Sequence, residues 1–120
     1  VTSVLLVDDD PDLRLLLRYS LSDEGFDIVG DAANGQDGVE QARCLQPDLI
    51  ILDLVMPVLD GLTALPQLAE VAPDSAVVVL SVETDAEMRG RALTLGAQAF
   101  ISKPTTTQHL AGVLAVVAAA

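Results

Sequence analysis

Pro47-Asp48-Leu49-Ile50-Ile51-Leu52-Asp53-Leu54-Val55-Met56-Pro57-Val58-Leu59-Asp60-Gly61 is the stretch whose reading decides the fold. Its apolar run, Leu49 to Leu52, is too short for a helix and rich in isoleucine, the pattern of a strand buried on both faces. The run ends on Asp53, so a rigid element delivers a carboxylate to the edge of the core. Met56-Pro57 and Asp60-Gly61 then break the strand and turn the chain into the next helix. An acid at the carboxyl end of a buried strand occupies the ligand position of an open α/β sheet. A lone Asp there could equally be no more than a strand terminus, so the rest of the chain has to decide.

The sequence alternates strand and helix five times. Thr2 to Val7 is an apolar, β-branched run that stops at Asp8-Asp9-Asp10-Pro11, where Asp10 and Pro11 read as an N-cap and first helical residue. Leu13, Leu16, Leu17 and Leu21 follow at helical spacing until Gly25. Phe26 to Gly30 reads as the second strand, Ala33-Asn34-Gly35 as a loop, and Asp37 to Leu45 as a helix with Val39, Ala42, Cys44 and Leu45 inward. The helix after Asp53 is expected over Gly61 to Val71, distorted or loosened by Pro66. Ala76 to Leu80 is the fourth strand, ended by Ser81, and Asp85 to Leu95 is a helix closed by Gly96. Gln98 to Ile101 is the fifth strand, ended by Ser102-Lys103-Pro104, and a last helix begins near Thr106-Thr107. Its end, Leu110 to Ala120, is apolar and small-sided, which implies either a neighbour to pack on or a cut chain.

Parallel strands need crossover connections, and right-handed crossovers put helices on both faces. The expected architecture is α/β: one doubly wound (βα)5 domain over residues 1–120, flavodoxin-like, with strand order 2-1-3-4-5. Strands 1 and 3 then flank the switch point, and Asp8, Asp9 and Asp53 converge on one crevice.

Bulk properties fit one domain. A chain of 120 residues, 51% hydrophobic and 2% aromatic, can bury a single Leu/Val/Ile/Ala core. Six basic against eighteen acidic side chains give a net charge of -12. That argues against direct nucleic-acid binding and for a domain attracting cations or basic surfaces. Cys44 has no second cysteine to pair with and reads as a packing residue. No run reaches the ~18 apolar residues of a membrane span, so no membrane partner and a cytoplasmic location are expected. A first residue other than Met suggests processing or an excised segment.

Three carboxylates in one crevice repel strongly, at roughly 4 kcal/mol per pair for ~4 Å and an effective dielectric near 20. Such a cluster must take up protons, spread apart or hold a cation, and hard oxygen ligands around a partly open site suit Mg²⁺. Ser81 and Lys103, closing the fourth and fifth strands, should point into the same crevice, and Lys103-Pro104 could be a cis peptide aiming the lysine inward. An acidic cation site facing a lysine suits phosphoryl transfer, with Asp53 as a carboxylate nucleophile.

At this point the sequence resembles the receiver domain of two-component response regulators, in chemotaxis-regulator-like form, over essentially its whole length. Leu5-Leu6-Val7-Asp8-Asp9-Asp10 resembles the family's acidic-pair strand, and Asp48 to Gly61 its phosphoacceptor segment. Leu80-Ser81 corresponds to the switch hydroxyl, and Phe100 with Lys103-Pro104 to the switch aromatic and the lysine. The resemblance implies that Asp53 accepts a phosphoryl group from a sensor histidine kinase or phosphotransfer protein. It implies Mg²⁺ held by Asp8 (largely through water), Asp9, Asp53 and the Val55 backbone carbonyl. Ser81, Lys103 and the backbones of Val55 and Val82 would bind the phosphoryl oxygens. The domain would assist its own phosphorylation and dephosphorylation rather than act as an enzyme on other substrates. An effector domain beyond residue 120, or a homodimer partner, would read the switched face of fourth helix, fifth strand and fifth helix.

The chain departs from the commonest family pattern in places. Phe100 stands where Tyr is frequent, Thr105 where Phe is common, and Val55 and Glu83 occupy the variable positions two residues beyond Asp53 and Ser81. Two other readings stay open on sequence alone. One is a degenerate receiver serving as a docking module. The other is a haloacid-dehalogenase-type phosphatase with Asp8 as nucleophile, against which stands the lack of any Asp or Glu after Lys103. His109, the sole histidine, reads as a solvated helix residue.

Overall fold

A computed structural model of the chain describes residues 1–56, 58–82, 85–103 and 105–119. The expected Met56-Pro57 turn, the Lys103-Pro104 peptide and the position of Glu83 involve residues outside these. Five strands, β1 (Ser3–Val7), β2 (Asp27–Ala32), β3 (Leu49–Leu52), β4 (Ala76–Ser81) and β5 (Ala99–Ser102), alternate with five helices. These are α1 (Pro11–Asp23), α2 (Gly35–Leu45), α3 (Gly61–Val71), α4 (Ala86–Thr94) and α5 (Thr107–Ala119). All strand pairings are parallel, and the sheet order is β2-β1-β3-β4-β5, as the sequence predicts.

The period of two along each strand divides the core into two layers. Val4, Leu6, Leu49, Ile51, Val78, Leu80 and Ile101 face Leu17 and Leu21 of α1 and Leu110 and Leu114 of α5. Leu5, Val7, Ile50, Leu52, Val77 and Val79 face Val39 and Ala42 of α2, Leu65 and Leu68 of α3 and Ala92 of α4. Each fully buried Leu, Ile or Val contributes about 1.5–3 kcal/mol over an exposed one. Both faces being covered explains why β1, β3 and β4 read as unbroken apolar runs.

Side chains cap the helix starts. Asp10 accepts from the amides of Asp12 (3.0 Å) and Leu13 (3.4 Å), Asn34 from Asp37 (2.9 Å) and Asp60 from Thr63 (2.8 Å). Asp85 accepts from Glu87 (2.9 Å), and the Thr106 hydroxyl from His109 (3.1 Å). Because Asn34 is a cap, α2 starts at Gly35, two residues before the expected Asp37.

Four local expectations are corrected. Cys44 is exposed and Leu45 largely so, rather than inward. The buried stripe of α2 is Gly35, Gly38, Val39 and Ala42, and at about 100° per residue Cys44 lies some 200° round from Ala42. Leu16 is likewise exposed, and α1 packs through Leu17 and Leu21. α3 runs unbroken through Pro66, which sits on its solvent side. The second strand also lies later than expected, at Asp27–Ala32, with a register shift opposite Val4/Leu5.

Gly61 opens α3 directly against the backbone of Asp53 and Leu54. A Cβ there would fall 2.3 Å from the Asp53 carbonyl oxygen and 2.7 Å from the Leu54 Cα, both backbone atoms. Gly112, inside α5, has nothing within 4 Å of its would-be Cβ. Gly61→Ala is therefore predicted to destabilise by about 1–3 kcal/mol through overpacking. Gly112→Ala should stabilise by roughly 0.5–1 kcal/mol through helix propensity. Urea-melt midpoints check both, and equal midpoints for the two variants would contradict the packing described.

Candidate functional site

The sheet's own hydrogen bonding reaches one residue past its strands and fixes where the polar side chains begin. The Asp8 amide donates to the Ala32 carbonyl (3.0 Å), the Asp53 amide to Val7 (2.9 Å) and the Lys103 amide to Ser81 (2.8 Å). Ser81 is itself the last residue of β4, paired with Ser102. Four adjacent strands thus present Asp8, Asp53, Ser81 and Lys103 at their carboxyl ends, where such sheets bind ligands.

Burial picks out the same residues. Among the described residues the buried polar or charged side chains are Asp8, Asp53 and Ser81, at 4%, 5% and 0% exposure. Buried polar groups are costly unless partnered, and these three lie in one place. Carboxylate oxygens of Asp8, Asp9 and Asp53 lie within 4.8 Å of one another, with Asp9 exposed to solvent. The Lys103 ammonium sits 2.6 Å from Asp8 Oδ2 and 3.7 Å from Asp53 Oδ2. Asp8 Oδ1 accepts from the Asp10 amide (2.9 Å), and Asp53 Oδ1 from the Val55 amide (3.3 Å).

Burial raises the Asp53 pKa above its ordinary value, against the attraction of Lys103. The charge of Asp8 raises it further, while hydrogen bonds from the Val55 amide and the Ser81 side chain act the other way. Ionised Asp53 is therefore under-compensated even with a lysine beside it. With all three acids ionised, one ammonium leaves a charge of minus two. An oxygen-only donor set with one open, solvent-facing member and that residual charge fits a divalent cation such as Mg²⁺.

The remaining predicted residues fall as follows. Val55 and Val82 are exposed at the rim, directly after the buried Asp53-Leu54 pair and Ser81. Phe100 is half-buried on β5, and the Arg89 guanidinium of α4 lies 5.0 Å from its ring centroid. Asp10 and Asp60 are exposed helix caps, which takes them out of the chemistry. His109 is exposed on α5.

Two residues escaped the sequence reading. Arg14 donates from Nη1 to the backbone carbonyl of Asp8 at 2.5 Å, and Arg89 covers Phe100. Arg14 carried a signal: a cation in the first turns of a helix opposes the macrodipole and needs some other interaction to hold it. Nothing in the sequence pairs Arg89 with Phe100.

The comparisons with known proteins agree with the fold and point to one family. The family model for the response regulator receiver domain matches residues 4–115. The chain is 33% identical over 101 residues to the chemotaxis protein CheY of Thermotoga maritima, with 84% of each chain covered. It is 38% identical over 109 residues to the transcriptional regulatory protein PdtaR of Mycobacterium tuberculosis, covering 89% of this chain and 52% of that one. A chain of the CheX–CheY–BeF3–Mg²⁺ complex from Borrelia burgdorferi aligns with a TM-score of 0.90 and 30% identity, covering 96% of this chain and 88% of that chain. Among the other curated relatives, the chain spans 53% of the length of one and 29% of another. By the match of the family model over residues 4–115 and by five strands in this order, the chain belongs to the response regulator receiver domain family.

Proposed function

We propose that Asp53 is the phosphoacceptor, taking a phosphoryl group from the phosphohistidine of a sensor kinase or phosphotransfer protein. The observation that carries this is the convergence of the buried Asp8, Asp53 and Ser81 on the Lys103 ammonium. In the transfer, an Asp53 carboxylate oxygen attacks phosphorus, the histidine P–N bond breaks, and its electron pair stays on the imidazole. Desolvation raises the free energy of the charged carboxylate in the ground state, and Lys103 stands beside it to offset the negative charge that the phosphoryl group brings. Lys103 and the Ser81 hydroxyl bind the incoming phosphoryl oxygens, with the backbone amides of Val55 and Val82 at the rim.

Asp8, Asp9, Asp53 and the Val55 carbonyl would hold Mg²⁺, which supplies charge neutralisation on the phosphoryl oxygens. The relative from Borrelia burgdorferi, in a complex with BeF3 and Mg²⁺, supports the same pairing of cation and phosphoryl mimic. Water attack on the acyl phosphate resets the site, so the domain acts on itself and is not an enzyme for other substrates. A cytoplasmic location belongs to this reading, because that is where the kinase partner would meet it.

The output would be read on the face of α4, β5 and α5. A phosphoryl group that engages Ser81 changes the space beside β4, and Phe100 on the neighbouring strand can respond. A homodimer partner, or an effector domain beyond residue 120, would recognise the altered face. The degenerate-receiver alternative gains nothing from the site, since Asp8, Asp9, Asp53, Ser81 and Lys103 are all in place.

Incubation with acetyl phosphate or a phosphorylated kinase, plus Mg²⁺, should add one base-labile phosphoryl group to the wild type and none to Asp53→Asn. Intact-mass and peptide spectra check this, and modification persisting in the variant or mapping to His109 would refute the assignment. A second expectation concerns stability in Mg²⁺-free buffer. The folded pKa of Asp53 lies above the unfolded one, so its contribution is fully favourable below the ordinary carboxylate value of 3.8. It becomes unfavourable as pH rises through the folded pKa. Asp53→Asn should therefore be more stable than wild type at pH 7, with the gap shrinking toward pH 4 and below. Urea melts across that range test it, and a variant less stable at pH 7 would contradict the raised pKa.

A further inference from the structure

Arg14 lies within reach of the site without belonging to its donor set. Its guanidinium is wedged between two groups. Nη1 donates to the Asp8 carbonyl at 2.5 Å. Nε is buried, makes no hydrogen bond, and lies 3.9 Å from Asp31 Oδ1. Asp31, at the end of β2, is held in turn by Arg18 Nη2 at 2.9 Å. The Arg14 side chain is 17% exposed, against 39% for Arg18, so its neighbours constrain it far more than an ordinary surface ion pair would.

The acceptor matters more than the ion pair. The Asp8 carbonyl belongs to the peptide joining Asp8 to Asp9, so a donor fixed on that oxygen sets the peptide plane. The plane fixes the direction in which the exposed Asp9 side chain leaves the backbone. Asp8 is then gripped at four atoms: its amide by the Ala32 carbonyl, its own carbonyl by Arg14, Oδ1 by the Asp10 amide and Oδ2 by Lys103. A charge-assisted hydrogen bond is about twice as strong as a neutral one, and this one spans the turn leaving β1. Its cation also stands beside a cluster whose members repel.

We propose that Arg14 is a positioning residue for the cation site. Anchored by Asp31, it locks the Asp8–Asp9 peptide so that both carboxylates face the crevice before any ion arrives. The proposal rests on the reading of the crevice as a Mg²⁺-dependent phosphoacceptor site. It further makes the Arg14–Asp31 pair a link between edge strand β2 and the chemistry at β1 and β3.

The test compares wild type, Arg14→Ala, Asp31→Asn and Arg43→Ala by amide NMR, first without metal and then with increasing Mg²⁺. Arg43 is an exposed cation on α2 paired with Glu40, so its loss changes net charge equally without touching the crevice. Removing an outer-shell partner weakens metal binding by ~10–100-fold, and Arg14→Ala should fall in that range. Arg43→Ala should stay within about twofold, because surface charge is screened by salt. Asp31→Asn, which keeps the guanidinium but loosens its anchor, should weaken binding in the same direction and less. In metal-free protein the Asp10 amide, bonded to Asp8 Oδ1, should exchange faster in Arg14→Ala.

A purely structural role for Arg14 would lower the melting temperature and leave the Mg²⁺ affinity of the folded protein unchanged. That result, or equal weakening by Arg14→Ala and Arg43→Ala, overturns the proposal. Should Arg14→Ala fail to fold, Asp31→Asn decides: unchanged affinity overturns it and weakened affinity supports it. Absence of Mg²⁺ binding in folded wild type would instead sink the phosphoacceptor reading, and this proposal with it.

Discussion

Everything at the crevice depends on backbone hydrogen bonds that hold acids where acids resist being held. The Asp8 and Asp53 amides extend the parallel ladder by one residue each, onto the Ala32 and Val7 carbonyls. Those bonds are backed by two core layers, so the backbone positions from which the two carboxylates project are fixed by the sheet. Chain entropy and mutual repulsion both oppose that placement, and the apolar faces of five strands provide the opposing free energy. The excess negative charge that results is what suits the cluster to a divalent cation.

The same constraint orders the cations. The chain has only six basic side chains, and three of them, Arg14, Arg18 and Lys103, are committed to Asp8 or Asp31. Lys103 bridges Asp8 and Asp53 from β5, 95 residues along the chain from Asp8. Several acids also have structural work: Asp10, Asp60 and Asp85 cap helices. The net charge of -12 is thus partly a record of how the helices begin, and among the described residues Asp8, Asp9 and Asp53 form the cluster.

Much of this was legible in the sequence, for identifiable reasons. Leu49-Ile50-Ile51-Leu52 and Val77 to Leu80 are buried on both faces, so their hydrophobicity is continuous and their ends are sharp. Asp53 and Ser81 could therefore be placed at strand termini, and alternation with helices implied the sheet order. Cap chemistry located α1 through Asp10-Pro11. Less legible was which side of a helix faces in: α2 contains Val39, Ala42, Cys44 and Leu45, and only the first two lie on the stripe begun by Gly35 and Gly38. Partnerships across long sequence separations, such as Arg14 with the Asp8 carbonyl and Arg89 with Phe100, leave no periodic trace. They depend on side-chain reach after the sheet has formed.

The central claim is that Asp53 sits in a pocket of uncompensated negative charge that a cation relieves. Carbon-detected NMR of the Asp53 side-chain carboxyl, titrated with acid in the absence and presence of Mg²⁺, measures this directly. The account predicts titration above the ordinary carboxylate value without the metal and a downward shift when Mg²⁺ is added. An Asp53 that titrates at its ordinary value and ignores Mg²⁺ would contradict it.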